Sequence, residues 1–198
     1  MQNRETVYID LTKDLFSQYE GRRITDIKRG IERLTFKKVS FELMLKIFPN
    51  LYIQNMKDAN ESKFYFFNSE YFKELIKSEI TDNWIVKYKE SIVAATITIK
   101  SKFSEIAEYH LSASNELGKK NKASSYMIHS IASYYKNQNF SIFYLGGGRT
   151  PTEKDTLLFF KKGFSNETKK FFVGYKIFDN KKYNEIKKKN KKMVNNNK

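Results

Sequence analysis

The chain has 198 residues, 40% of them apolar and 16% aromatic, enough for one good-sized domain or two very small ones. It holds no cysteine and only two histidines, His110 and His129, which excludes disulfides, thiolate metal sites and a multi-histidine metal centre. The formal net charge is +15, but residues 181–198 carry eight lysines against one acid, leaving a moderate +8 on the remaining 180 residues. A basic balance invites a nucleic-acid reading, and this distribution weakens it. No run of 18 apolar residues marks a membrane span, and the N-terminus lacks the basic-then-apolar pattern of a secretion signal, so the cytoplasm is the default location.

Residues 7–11 predict a short strand, after which Thr12 or Asp14 caps a helix running to about residue 31. Arg22, Arg23, Lys28, Arg29 and Arg33 crowd the C-terminal half of that helix, as a solvated basic end or an anion-binding face. Residues 36–39 read as a strand. From Ser40, the residues Phe41, Met44, Leu45 and Phe48 keep helical spacing until Pro49 interrupts and opens a second helix to about residue 58. A connector over 59–67 ends in aromatics. Asn68 or Ser69 then caps a helix whose stripe of Tyr71, Phe72, Leu75 and Ile76 reads as core.

The pattern then changes period. Strands at 83–88, 91–100 and 103–114, with turns at Lys89-Glu90 and Ser101-Lys102, form an antiparallel meander. Residues 122–138 are the most regular helix, with Ala123, Met127, Ile131 and Tyr135 every four positions. Residues 140–145 lack polar alternation, as a buried strand should. Thr150-Pro151-Thr152-Glu153 is a capping box for a helix to Lys162, with Gly163 as a left-handed stop, and 170–178 is the last strand. This order implies one mixed sheet with helices packed on it, in the α/β (α+β) class. The domain is expected to span 1–180, and the Lys/Asn-rich tail over 181–198 to be frayed.

Three features could carry chemistry. On the strand ending at Ser114, simple alternation puts Ala107, Tyr109, Leu111 and Ala113 on a core face, and Glu108, His110, Ser112 and Ser114 on the other. A polar stripe on a central strand either lines a cleft or faces solvent. The loop over 115–122 then brings Lys119, Lys120 and Lys122 to the start of the strong helix, an arrangement suited to phosphate. Finally Gly146, Gly147 and Gly148, three of only eight glycines, follow the buried strand and allow close approach of a ligand, with Arg149 beside them for an anionic group. There is no Walker pattern, G-x-G-x-x-G or nucleophile elbow.

These residues, taken in order, resemble a known family. Tyr109-His110-Leu111-Ser112-Ala113-Ser114, a helix, Leu145-Gly146-Gly147-Gly148, Asp155-Thr156-Leu157 and Phe160-Lys161-Lys162-Gly163-Phe164-Ser165 are similar to the C-terminal GNAT-like domain of Fem-like peptidoglycan-bridge aminoacyltransferases and their GNAT-fold relatives. So are Tyr52-Ile53-Gln54-Asn55-Met56, Tyr65-Phe66-Phe67-Asn68-Ser69-Glu70-Tyr71-Phe72 and the basic helix at 24–31. The resemblance covers about residues 5–178. It implies a GNAT-like acyl-CoA N-acyltransferase fold, a mixed, mostly antiparallel sheet with helices on both faces. In that fold the strands at 104–114 and 140–145 splay, and the donor lies between them.

The implied activity is direct acyl or aminoacyl transfer to an amine, without a covalent enzyme intermediate. The donor would be aminoacyl-tRNA or acyl-CoA, used as a co-substrate with no tightly bound cofactor. The acceptor would be a cell-envelope precursor or an amino sugar. Two departures stand out. Fem-like proteins carry a second GNAT-like subdomain, which a second chain could supply. The register 118–123 also matches the coenzyme A pyrophosphate loop only at Ala123. Within this reading Glu108 and His110 are the candidate bases. Ser112, Ser114, Lys119, Lys120, Lys122 and Gly146–Gly148 would hold the donor, with amides near the glycines facing the oxyanion. Arg149, Lys161, Arg22 and Lys28 would bind anionic groups. A non-enzymatic module for RNA or an anionic surface, and an inactive remnant, are the competing readings.

Overall fold

The computed structural model describes residues 2–101, 103–150 and 155–195. The chain opens with β1 (Gln2–Asp10), α1 (Gly21–Arg33), β2 (Leu34–Lys38), α2 (Phe41–Asp58) and α3 (Ser69–Lys77). The meander follows as β3 (Thr81–Tyr88), β4 (Ser91–Lys100) and β5 (Ile106–Ser114). Then come α4 (Glu116–Lys120), α5 (Ala123–Asn137), β6 (Ile142–Gly147), α6 (Thr156–Lys162), β7 (Thr168–Phe172) and α7 (Asn180–Asn195). Among the described residues seven strands form one sheet in the order β2-β3-β4-β5-β6-β1-β7. Every adjacent pair is antiparallel except β5 and β6, which run parallel.

Alternation along the strands sends apolar side chains to two cores. On one face Val7, Ile9, Trp84, Val86, Phe143 and Leu145 pack against α1 and against Met127, Ile128 and Ile131 of α5. On the other, Ile85, Ala95, Ile97 and Ala113 meet Met44, Phe48 and Tyr52 of α2 and Phe72 and Ile76 of α3. Helices therefore cover both faces, and burial of these residues is the main stabilising term. Among the described residues no helix is long and apolar enough to cross a membrane.

Several local expectations are corrected. The first helix starts at Gly21, not near Thr12: Asp14 caps only a short 3-10 turn at Phe16–Gln18, and the chain extends through Tyr19 and Glu20 before α1. Arg22 and Arg23 thus lie in the first turn of the helix. Pro49 does not divide α2, because Met44, Phe48 and Tyr52 bury one continuous stripe that outweighs the backbone bond the proline removes. Residues 116–120 form α4 where a loop is expected, with the Asn115 side chain accepting from Gly118 N. The 150–153 capping box falls largely outside the described residues; Asp155 is the N-cap of α6, which begins at Thr156. Gly163 is right-handed, with φ −63°, and is small because Arg23 crowds its Cα. The last strand ends at Phe172 and not near residue 178, and α7 follows, its side chains exposed from Asn180 to Lys187.

The α5 side of the sheet holds a polar chain under β3 and β4. Asp82 is 4% exposed and accepts from Lys38 Nζ (2.7 Å), Lys100 Nζ (2.8 Å) and the Tyr135 hydroxyl (2.8 Å). Because Tyr135 gives its hydrogen to Asp82, the 2.6 Å contact with Thr98 is donated by Thr98, which in turn accepts from Trp84 Nε1 (2.8 Å). Burial works to raise the Asp82 pKa, but the bonds from Lys100, Lys38 and Tyr135 outweigh it and hold the carboxylate below its usual range. Asp82→Ala should lower the unfolding free energy by about 1–3 kcal/mol, read from the denaturant midpoint, because Tyr135 and two lysines lose their acceptor. An unchanged midpoint would show that water replaces the carboxylate at no cost.

Candidate active site

Pairing between β5 and β6 stops early. The register runs Ile106↔Ile142, Ala107↔Phe143 and Glu108↔Tyr144, and goes no further. Beyond it β5 continues on β4 while β6 continues on β1, so the two strands diverge. Each carries a bulge at the point of divergence. His110 is the extra residue in β5, between Tyr109↔Thr98 and Leu111↔Ile97. Leu145 is the extra residue in β6, between Tyr144↔Tyr8 and Gly146↔Val7. Bulges bend and overtwist a strand, and Gly146, at φ +75°, supplies the left-handed backbone that such a bend requires.

A cavity of about 390 Å³ occupies the wedge. Its floor is β5 from Tyr109 to Ser114. One wall is Ser124, Gly148, Arg149, Leu157, Phe160 and Lys161; the other is Tyr52, Asn55, Met56, Glu61 and Tyr65. The Ser114 amide, left without a strand partner on this edge, donates to Asn55 Oδ1 (3.2 Å). Arg149 forms an ion pair with Glu61 across the opening.

Lys161 is a buried, strongly perturbed group in the wall. It is 8% exposed, and its ammonium donates to the Gly147 carbonyl (2.8 Å). Burial lowers its pKa to about 8, with Asp155 and Glu108 acting to raise it. A buried cation that is half neutral near this pH is the kind of group found in reactive sites. Asp155 sits beside it as the cap of α6. It accepts from Leu158 N (2.8 Å), Arg149 N (2.7 Å) and Thr150 N (2.7 Å). The amides just after the glycines are therefore already engaged by a carboxylate, which corrects the expectation that they face an oxyanion. Gly146 and Gly147 pair with Val7 and Thr6 of β1, and only Gly148 of the three lines the cavity.

The bulge also splits the predicted polar stripe. Glu108 and His110 lie on the α2/α3 face, where His110 Nδ1 is 3.2 Å from Glu108 Oε1 and its Nε2 is 3.4 Å from the Tyr71 hydroxyl. One extra residue at position 110 moves Ser112 and Ser114 to the α5 face, paired with Thr96 and Ala94. There Tyr109 and Thr96 both donate to Ser112 Oγ, at 2.6 and 2.9 Å. His110, Ser112 and Ser114 all line the wedge, and Glu108 backs His110 from outside the lining.

Other candidates do not converge. Lys119 and Lys120 are exposed on α4, Lys119 is paired with Glu116 (2.6 Å), and neither they nor Lys122 lines the cavity. The amides of Gly118 and Lys119 bond to Asn115 and that of Lys122 to the Lys119 carbonyl, so these three donors are satisfied within the turn. Arg22 and Lys28 are exposed on α1, away from the cavity. Sequence reasoning missed Tyr71, Tyr109, Asn55, Glu61 and Phe160 as site residues. Tyr71 reads as core from its helical spacing, and Tyr109 from simple alternation. Asn55 and Phe160 lie in the motifs that carry the family resemblance.

No protein-family model matches the chain, and no curated protein sequence matches it. Solved structures do. FemX superposes with a TM-score of 0.69 at 14% identity, over 85% of this chain and 60% of that one. The structure of L-PGS from Bacillus licheniformis gives 0.65 at 14%, over 86% of this chain and 59% of that one. An aminoglycoside acetyltransferase from an uncultured soil metagenomic sample gives 0.55 at 13%, over 76% of this chain and 99% of that one. The fold is GNAT-like. The chain shares the fold of these proteins, and it spans about 60% of the length of FemX and L-PGS.

The bend at Gly146 is testable. An added Cβ would sit 3.5 Å from Lys161 Nζ, an ordinary contact, so Gly146→Ala probes backbone conformation and not space. It should cost about 1–2 kcal/mol of stability by chemical denaturation. An unchanged midpoint would show that the strand bends without needing glycine.

Proposed function

We propose that this chain transfers an acyl or aminoacyl group directly onto an amine, with the donor carbonyl held in the wedge between β5 and β6. The observation that carries this reading is the cavity itself, a mostly apolar opening with a few polar side chains, made by unzipping two adjacent strands. It has room for an extended acyl chain beside a free strand edge, and a buried cation lies in its wall.

In this reading the neutral amine attacks the carbonyl carbon of an ester or thioester. A C–N bond forms as the carbonyl oxygen takes the negative charge. The Lys161 ammonium donates to that oxyanion. His110, oriented by Glu108 and Tyr71, accepts the proton that the attacking nitrogen sheds. Collapse breaks the bond to the leaving oxygen or sulfur, which takes the proton, and an amide remains. The proximity of the two substrates supplies much of the remaining acceleration. Arg149 and Glu61, opposite in charge at the mouth, suit an acceptor carrying both an anionic group and an amine.

The preferred substrate class is an amine of a cell-envelope precursor, with aminoacyl-tRNA as donor and a second chain supplying the absent subdomain. The likeness to FemX and the +8 charge outside the tail support it. An acyl-CoA donor with an amino sugar is the second reading, favoured by one observation: the chain covers 99% of the length of an aminoglycoside acetyltransferase. A thermal shift separates the two donors, since a ligand that binds the native state raises the midpoint. Coenzyme A should leave the midpoint unmoved if the first reading holds and raise it if the second does.

Lys161→Met should lower turnover by about 10²–10³-fold with the fold retained. In the unsubstituted protein the Lys161 ammonium is protonated below about pH 8 and neutral above it, so turnover should fall as pH rises through that value. The residual activity of Lys161→Met should lack this limb. His110→Ala should cost about 10²-fold at most, since direct amine attack needs no strong base. Full turnover in Lys161→Met would remove the lysine from the reaction. Salt-sensitive RNA binding without transfer would favour a non-enzymatic module.

A further inference from the structure

We infer that the segment from Phe171 through α7 is a docking element for an anionic lipid bilayer surface. Residues 168–198 hold 11 lysines against two acids, Asp179 and Glu185, so this stretch carries +9 of the chain's +15. The same stretch shows its large apolar side chains to solvent. Phe178 is 88% exposed, Tyr175 81% and Phe172 62%, with Ile186, Phe171 and Tyr183 at 53%, 45% and 44%. Soluble surfaces seldom expose apolar side chains in such a run, and an extended cluster marks a contact surface.

What covers the segment is decided by the interleaving of charge and ring. Lys176 lies 5.2 Å over the Phe178 ring and Lys187 5.9 Å over that of Tyr183, so ammonium groups and aromatic faces project together. An apolar partner surface would leave the lysines desolvated and unpaired. A bilayer interface takes both at once, rings at the headgroup boundary and ammonium groups on anionic headgroups. The helical part is built for that plane. Asp179 caps α7 through Lys182 N (2.9 Å), and Tyr183 and Ile186 fall three residues apart on one side. RNA is the alternative polyanion. The stretch contains no arginine, the side chain best suited to bidentate phosphate contacts and base stacking, and its rings include three phenylalanines and an aliphatic neighbour. These features favour lipid. The inference stands apart from the transfer reaction and needs no substrate.

The test is flotation of the full chain with vesicles of mixed phosphatidylglycerol and phosphatidylcholine, against vesicles of phosphatidylcholine alone. Partition should favour the anionic vesicles by at least about tenfold at low salt and fall as salt rises. The triple variant Phe172→Ser, Tyr175→Ser, Phe178→Ser and the double variant Lys181→Glu, Lys182→Glu should each lose about tenfold in partition, with unchanged thermal midpoints because all five side chains are exposed. The double variant reads the charge contribution even if the triple variant lowers the midpoint. Equal partition to both vesicle types overturns the inference. So does partition that neither variant reduces, or tight binding to single-stranded RNA by a chain that ignores vesicles.

Discussion

A β-sheet gains its stability by pairing every strand edge, and this one gives that up between β5 and β6. Three residue pairs hold the two strands together, and two opposed bulges then part them. The bulge at His110 keeps β5 bonded to β4, and the bulge at Leu145 keeps β6 bonded to β1. Each strand therefore remains anchored on its outer side while the inner side opens. Lost pairing would leave amides and carbonyls unsatisfied inside the molecule. Side chains reach in to compensate: Asn55 accepts from the Ser114 amide, and Lys161 donates to the Gly147 carbonyl. The rest of the site follows from that opening, since the cavity exists only where the ladder does not.

Lys161 shows the same economy. A buried ammonium is costly unless paired, and here its bond to Gly147 is joined by the nearby charges of Asp155 and Glu108. These oppose burial without cancelling it, which leaves the group poised near pH 8. Asp155 serves two ends, capping α6 and fixing the loop that carries Arg149. The cap, the glycine turn and the lysine nearly two helical turns further along form a single unit. Residues 119–122 take no part in that unit.

Much of the sheet was legible because β-branched and aromatic runs with short turns leave few alternatives. The meander, the central helix and the buried sixth strand sit close to their expected places. What escaped detection were features that local pattern cannot encode. Alternation assigns Ser112 to the face of His110, and one bulge residue reverses it. Pro49 signals a break, but the stripe of Met44, Phe48 and Tyr52 holds the helix as one. Tyr71 has the spacing of a core residue and packs, partly buried, against the α2/α3 core, yet its hydroxyl reaches His110 across the helix–strand seam. The lysines of 119–122 look like an anion site in sequence, while the Asn115 cap turns the segment into a helix that uses its own amides.

The length comparison bears on what this chain can do unaided. It spans about 60% of the length of FemX and 99% of that of an acetyltransferase that shares the fold. The cavity walls decide between these in one respect. Both come from this chain: Tyr52, Asn55 and Met56 from α2 with Glu61 and Tyr65 from the connector after it, and Leu157, Phe160 and Lys161 from α6. The wedge is thus closed on both sides without help from another subdomain. Under the proposed function, a second subdomain or a partner chain would not be needed to build the place for the donor carbonyl. Its contribution to the proposed reaction would then fall at the mouth, beside the Arg149–Glu61 ion pair, where the acceptor would be brought up to the donor.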